Sequence, residues 1–195
     1  MKAPKPNYTR QLPPIGNHVA RLINIVYLGT QHSPQYGDTF KLRLTWELPN
    51  EKAVFKENEG EKPFVVSKET SLSMGTKSAL RPIVEGMLGC ALQDEEAYNF
   101  DIDELLGKGC MLYVTIEEND KGKFAKINTA TPLPKGIVCP PPVNNIKVLS
   151  FDKWDEEFFN KLPEFIRTKI TQSKEYKQMK GEKVEDIQVD DIPFE

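Results

Sequence analysis

Phe40, Leu42, Leu44, Trp46 and Leu48 alternate without a break with Lys41, Arg43, Thr45 and Glu47. A period of two puts the first set on one face of an extended strand and the second on the other, which no helix can do with the same residues. Such a strand needs apolar partners, so the chain must supply more strands. Residues 18–28 (HVARLINIVYL) are β-branched and apolar and close at Gly29, and the polar residues 30–37 (TQHSPQYG) form a loop into the alternating strand. After a charged excursion over residues 50–62, a third strand carrying Lys68 is expected around residues 64–73.

Helical spacing follows. Leu80, Ile83, Val84 and Met87 stand at i, i+3, i+4 and i+7, with Thr76 or Ser78 able to cap the start and Gly86 and Gly89 ending it. Residues 94–106 are acidic and mixed, and predict a further helical turn before Gly107. Cys110, Leu112, Val114 and Ile116 then alternate with Met111, Tyr113 and Thr115, and after Asn119-Asp120-Lys121-Gly122 residues 124–131 return as a hairpin. Three strands, a helix and a hairpin predict a mainly β fold. The plan that fits is a small closed five-stranded barrel of the OB kind, with the helix between strands three and four plugging one end.

The flanks read differently. Residues 1–17, rich in Pro and Asn, predict a flexible N-terminal arm, and the barrel is expected over residues 18–133. Pro132, Pro134 and Pro140 to Pro142 cannot join a central strand, so residues 134–150 predict a stiff linker. Over residues 151–178, Trp154, Phe158, Leu162, Phe165, Ile166 and Ile170 form an apolar stripe, with Pro163 opening a second helix. The acids at 155–157 and the bases Arg167 and Lys169 sit where the helix dipole favours them. Packing of this stripe on the barrel is the expected arrangement, and a homodimer through it is the alternative. Residues 179–195 are polar and charged, and predict a disordered acidic interaction tail up to Ile192.

Charge is segregated along the chain. The formal net charge is -3 over 195 residues, yet residues 1–46 hold six bases against Asp38 alone, and residues 184–195 hold five acids and no base. A basic front and an acidic tail suit a polyanion binder with an acidic arm. No apolar run approaches the roughly 20 residues a bilayer-crossing helix needs. The start, MKAPKPNYTRQ, lacks the apolar stretch of a signal peptide, so a cytoplasmic protein is expected, in the host cell if it is phage-encoded. Cys90, Cys110 and Cys139 are widely spaced without a CxxC, which fits neither a disulfide framework nor a zinc site. His18 and His32 have no partner at ligand spacing, and no phosphate-cradling GxxxxGK[ST] is present. No cofactor, no metal ion and no enzymatic activity are expected.

Holding a single nucleic-acid strand without sequence preference takes cations along the backbone and flat side chains for the bases. Lys41 and Arg43 lie opposite the apolar face of strand two, Arg21 lies on strand one, and the first loop brings Tyr36 and Phe40. Tyr27 and Phe124 are further stacking candidates, and the hairpin adds Lys121, Lys123 and Lys126 to the Lys68 of strand three. In OB barrels the ligand lies on strands two and three and on the loops joining strands one to two and four to five. Those are the places just named.

The chain ends Val189-Asp190-Asp191-Ile192-Pro193-Phe194-Glu195. An acidic arm closing on Asp-Asp-Ile-Pro-Phe resembles the C-terminal tip of bacterial and phage single-stranded DNA-binding proteins, although in the bacterial proteins the Phe is last and here Glu195 follows. The segments PIGNHVARLINIVYLGTQ, TFKLRLTWELP, LLGKGCMLYV and LPEFIRTKITQSKEY resemble tailed-phage replication-module proteins regarded as OB-fold binders of single-stranded DNA. This resemblance implies a protein that coats single strands in replication or recombination. It also implies that Asp190, Asp191, Ile192, Pro193 and Phe194 bring in replication or recombination proteins, with apolar side chains in a pocket and acids on its basic rim. A protein-binding replication adaptor and a structure-specific nuclease with dispersed carboxylates are the rival expectations.

Overall fold

The computed structural model of the chain describes residues 11–34, 37–120 and 122–181. Its body is a mainly β sheet of six strands: β1 (Gly16–Ser33), β2 (Gly37–Val54), β3 (Glu61–Ser71), β4 (Gly109–Asn119), β5 (Gly122–Thr131) and β6 (Lys147–Leu149). The neighbour order is β3-β2-β1-β4-β5, antiparallel throughout, and β6 runs parallel to β1 at Asn24, Ile25 and Val26.

β1 is central to this arrangement. Its start pairs with β4 from Gly16 opposite Val114 to Arg21 opposite Gly109, and its remainder pairs with β2 down to Ser33 opposite Gly37. Apart from Asn24, the run Leu22–Leu28 is apolar at consecutive positions rather than alternate ones because both faces are covered. Leu22 and Ile25 join the sheet interior with Leu42, Leu44, Trp46, Leu112 and Val114, whereas Val26 and Leu28 join a second cluster outside the sheet. The inward set passes from Ala20 and Leu22 to Ile25 and Tyr27, and the irregularity at Leu22–Asn24 allows this change of face. Gly29 sits at φ 72°, and a Cβ there would lie 2.5 Å from the Ser173 Cβ, so both backbone sign and space demand glycine.

The connection from β3 to β4 holds α1 (Arg81–Leu88), α2 (Asp94–Tyr98) and a 3-10 turn, Ile102–Leu105. Ile83, Val84 and Met87 are buried as their spacing requires, and Gly89 closes α1 in the left-handed conformation at φ 76°. Ser78 Oγ accepts the Arg81 N–H at 3.2 Å. A Cβ at Gly86 would strike the Ala130 carbonyl, so α1 lies directly on the backbone of β5.

Two expectations change. The barrel is not closed: among the described residues no ladder pairs β3 with β5, and the edges are bridged by the Lys68 ammonium donating to the Ile127 carbonyl at 3.1 Å. Pro132, Pro134 and Pro140 to Pro142 stand outside every strand, but residues 139–149 are fastened down rather than spanning free space, and their end joins the sheet as β6. Arg21 donates to the Cys139 carbonyl (2.8 Å), the Pro140 carbonyl (3.0 and 3.3 Å) and the Gly107 carbonyl (2.5 Å). Glu47, fully buried, accepts the backbone N–H of Val143 (2.9 Å) and both the backbone N–H and Nδ2 of Asn144 (2.8 and 2.6 Å). β6 then pairs with β1.

The chain ends its described part in α3 (Glu156–Lys161), α4 (Glu164–Gln172) and α5 (Lys174–Met179). Asp155 caps α3 by accepting the Phe158 N–H at 2.8 Å, and Ser173 caps α5 by accepting the Tyr176 N–H at 3.2 Å. Phe159, Ile166 and Ile170 bury against Val26, Leu28 and Leu149, so the stripe packs on the outside of β1. Among the described residues no helix is long and apolar enough to cross a membrane.

Candidate nucleic-acid interface

The outer face of β1 and β2 is where sequence reasoning puts Arg21, Lys41 and Arg43, and protein occupies it. Arg21 is committed to the three carbonyls named above. Arg43 pairs with Glu69 of β3 at 3.0 Å and lies over the Phe165 ring of α4, 5.6 Å from its centroid. Glu69 also receives the Lys169 ammonium of α4 at 2.5 Å, so one carboxylate ties strand and helix together. Lys41 stands half-buried between Gly29 and Ser71, close to where α5 attaches. That attachment is made by Glu175, which accepts the Thr30 N–H (2.8 Å) and hydroxyl (2.6 Å), and by Lys174, which pairs with Asp38 at 2.8 Å.

Two of the proposed stacking rings are likewise engaged. The Tyr27 hydroxyl donates to Asp103 at 2.9 Å, and burial, followed by that hydrogen bond, pushes its pKa above the usual tyrosine value. Phe40 lies edge-on between Tyr27 and Phe151, 6.3 Å from each, where it joins the sheet interior to the helical cluster. Tyr36, Lys121 and Asp190 to Phe194 lie outside the described residues.

The open edge between β3 and β5 is different. A groove of about 1150 Å³ runs there, with Lys62 to Ser67 of β3 and Phe124 and Ala125 of β5 along it. Phe55, from the turn between β2 and β3, and Pro163 and Phe165, at the α3–α4 corner, form its walls, with Arg43 beneath. Leu12 and Pro13 reach it from the N-terminal side, where the Gln11 amide donates to the Val54 carbonyl at 3.1 Å. Phe55 and Phe165 are 43% and 55% exposed, and Val65 between them is 42% exposed. Phe55 is steadied by an edge-to-face contact with Phe64 at 5.0 Å.

Cations and acids share the rim. Lys62 pairs with Glu59 at 2.5 Å, Lys126 pairs with Glu117 at 2.6 Å, and Lys123 stands opposite Glu118 in the hairpin. Both partners of the Lys126–Glu117 pair are nearly half exposed. Exposed pairs of this kind contribute at most about 1 kcal/mol, so a phosphate can take the carboxylate's place. Lys68 is set deeper: burial, then the nearby Lys126 charge, holds its pKa below the ordinary lysine value, and its ammonium is spent on the Ile127 carbonyl.

Of the residues singled out from sequence, Arg43 and Phe124 line the groove, while Lys68, Lys123 and Lys126 lie on the two strands that border it. Arg21, Tyr27, Phe40 and Lys41 do not join them. Phe55, Lys62 and Phe165 were missed. Phe55 sits in a charged excursion without a period. Phe165 is hidden in an apolar helical stripe one position from the buried Ile166. Among the described residues no three His, Cys, Asp or Glu side chains gather as metal ligands. Compared with known proteins, the chain matches no family model, and no curated protein is similar to it.

Proposed function

We propose that this chain is a sequence-independent single-stranded DNA-binding protein of OB type, and that the strand lies in the groove between β3 and β5. The observation that carries the reading is the meeting of Phe55, Phe124 and Phe165 around one groove with Arg43 and Lys62 on its walls. Phe55 and Phe165 are exposed and Phe124 is half-buried; uncovered rings at a groove are what a stacking platform requires, and no base identity is needed because every base has a π-face. The strand order, with helices between β3 and β4 and a partly open β3–β5 edge, agrees with an OB barrel, whose ligand surface includes strands two and three.

Magnitudes favour stacking over charge. Three stacked bases supply on the order of 3–9 kcal/mol at 1–3 each. The rim cations are largely balanced by acids, so about four phosphate contacts, with a salt slope near -3, are expected. Such a protein coats strands in a phage replication or recombination module, and the tail ending in Asp190-Asp191-Ile192-Pro193-Phe194 recruits its partners. The test is fluorescence anisotropy of labelled oligo(dT) at two salt concentrations. Binding with a shallow salt slope supports the reading, and no binding below about 10 µM at low salt overturns it. Equal affinity for oligo(rU) would widen the ligand to RNA.

A further inference from the structure

The groove has a wall that no OB barrel needs. α4 belongs to the second, helical unit, yet Phe165 turns away from the cluster that buries its neighbours. Ile166 and Ile170 are 1% and 0% exposed, whereas Phe165 is 55% exposed and borders the groove with Pro163. Leaving a phenyl ring half in water forgoes burial that a polar residue at the same position would not need. The ring is also oriented. Arg43 lies against it, Glu69 holds Arg43, and Lys169 of the same helix returns to Glu69. Pro163 fixes the corner from which α4 starts, and the Ile166 N–H bonds back to its carbonyl at 2.9 Å. A ring placed in this way faces the space that Phe55 and Phe124 line from the sheet.

We infer that the strand site is composite: α4 forms one wall of the groove, and Phe165 stacks on a nucleobase held there. This rests on the single-strand reading above and deepens it by assigning the helical unit a direct part in binding. The occupant is a nucleobase rather than an apolar peptide because a cation lies against the ring and further cations stand along the rim, where phosphates on either side of a stacked base would fall. The Arg43 guanidinium is itself planar and can extend the stack.

The experiment uses the full chain and labelled oligo(dT), with thermal unfolding of each variant as the folding control. Phe165→Ala is expected to weaken binding by about 5- to 150-fold with an unchanged salt slope, since the lost group carries no charge. Phe165→Trp restores binding to within about threefold, and its added indole emission is quenched as oligonucleotide is titrated in. Phe165→Leu, apolar but without a π-face, stays weak. Wild-type binding with Phe165→Ala unaffected overturns the inference and leaves the single-strand reading standing. Phe165→Leu as good as Phe165→Trp also overturns it, since packing then suffices. Failure of the wild-type chain to bind overturns both. An apolar peptide that displaces bound oligo(dT) from wild type but not from Phe165→Ala would reassign the wall to a protein partner.

Discussion

Two surfaces of this molecule carry similar residue types and use them differently. On the outside of β1 and β2, cations end on protein: Arg21 on backbone carbonyls, Arg43 on Glu69 and a ring. Around the groove beside β3 and β5, the Phe55 and Phe165 rings stand about half in solvent and the neighbouring cations rest in exposed pairs. The first surface holds residues 139–140 and α4 in place. The second is left for something else. A positively charged strand face therefore says less about a ligand than an aromatic ring left uncovered, because a cation has many partners within its own protein and an exposed Phe has few.

The widest separation between the two surfaces should appear in stability. Arg21→Ala strips donors from three carbonyls at once and is expected to cost about 3 kcal/mol in urea unfolding, while oligo(dT) affinity of the folded fraction changes less than about threefold. A binding loss without a stability loss would break the comparison by returning Arg21 to the ligand surface. Phe55→Ala should do the opposite: affinity falls on the order of tenfold or more, and stability falls by about 1 kcal/mol through the lost contact with Phe64. Unchanged affinity would remove the β2–β3 turn from the site.

Smaller effects grade the cations. Lys123→Ala should lower the salt slope by about 0.7, the share of one phosphate contact on a single strand, and Lys41→Ala should leave it unchanged. The reverse ranking would move the strand path to the outer face of β2. The smallest effect concerns how α5 is held. The hydrogen bond from Lys174, then that from His32, keeps the Asp38 carboxyl below its ordinary 3.8. A carboxyl so depressed contributes stability that is present above 3.8 and lost as pH falls through the lowered value. An NMR titration of Asp38 should give a midpoint under 3.8, and Lys174→Ala should move it back up; a midpoint above 3.8 would mean the contact does not hold in solution.

How much of this was legible depended on the range of the interaction involved. The alternation through Trp46 and the helical spacing from Leu80 to Met87 are local, and both elements stand where those patterns put them. β6 was not legible, since three residues among prolines look like linker until β1 offers an edge. Arg21 looked like a free cation because the carbonyls it serves lie at Gly107, Cys139 and Pro140, far along the chain. Glu47 continued a solvated face by period, yet it is fully buried under residues 143 and 144. In each case the local pattern is sound and a distant segment changes its surroundings.

The position of β1 has a consequence for how the molecule is made. β1, made before its partners, needs Gly109–Val114 for one edge and Lys147–Leu149 for a further stretch of its length. Until those residues arrive, an apolar strand waits with open edges, and pairings of such long sequence separation form slowly. A chain interrupted before residue 147 would leave part of β1 uncovered, so the sheet is completed only once residues 147–149 have been made, and the prolines and helices that follow β5 belong to its folding as much as to its finished surface.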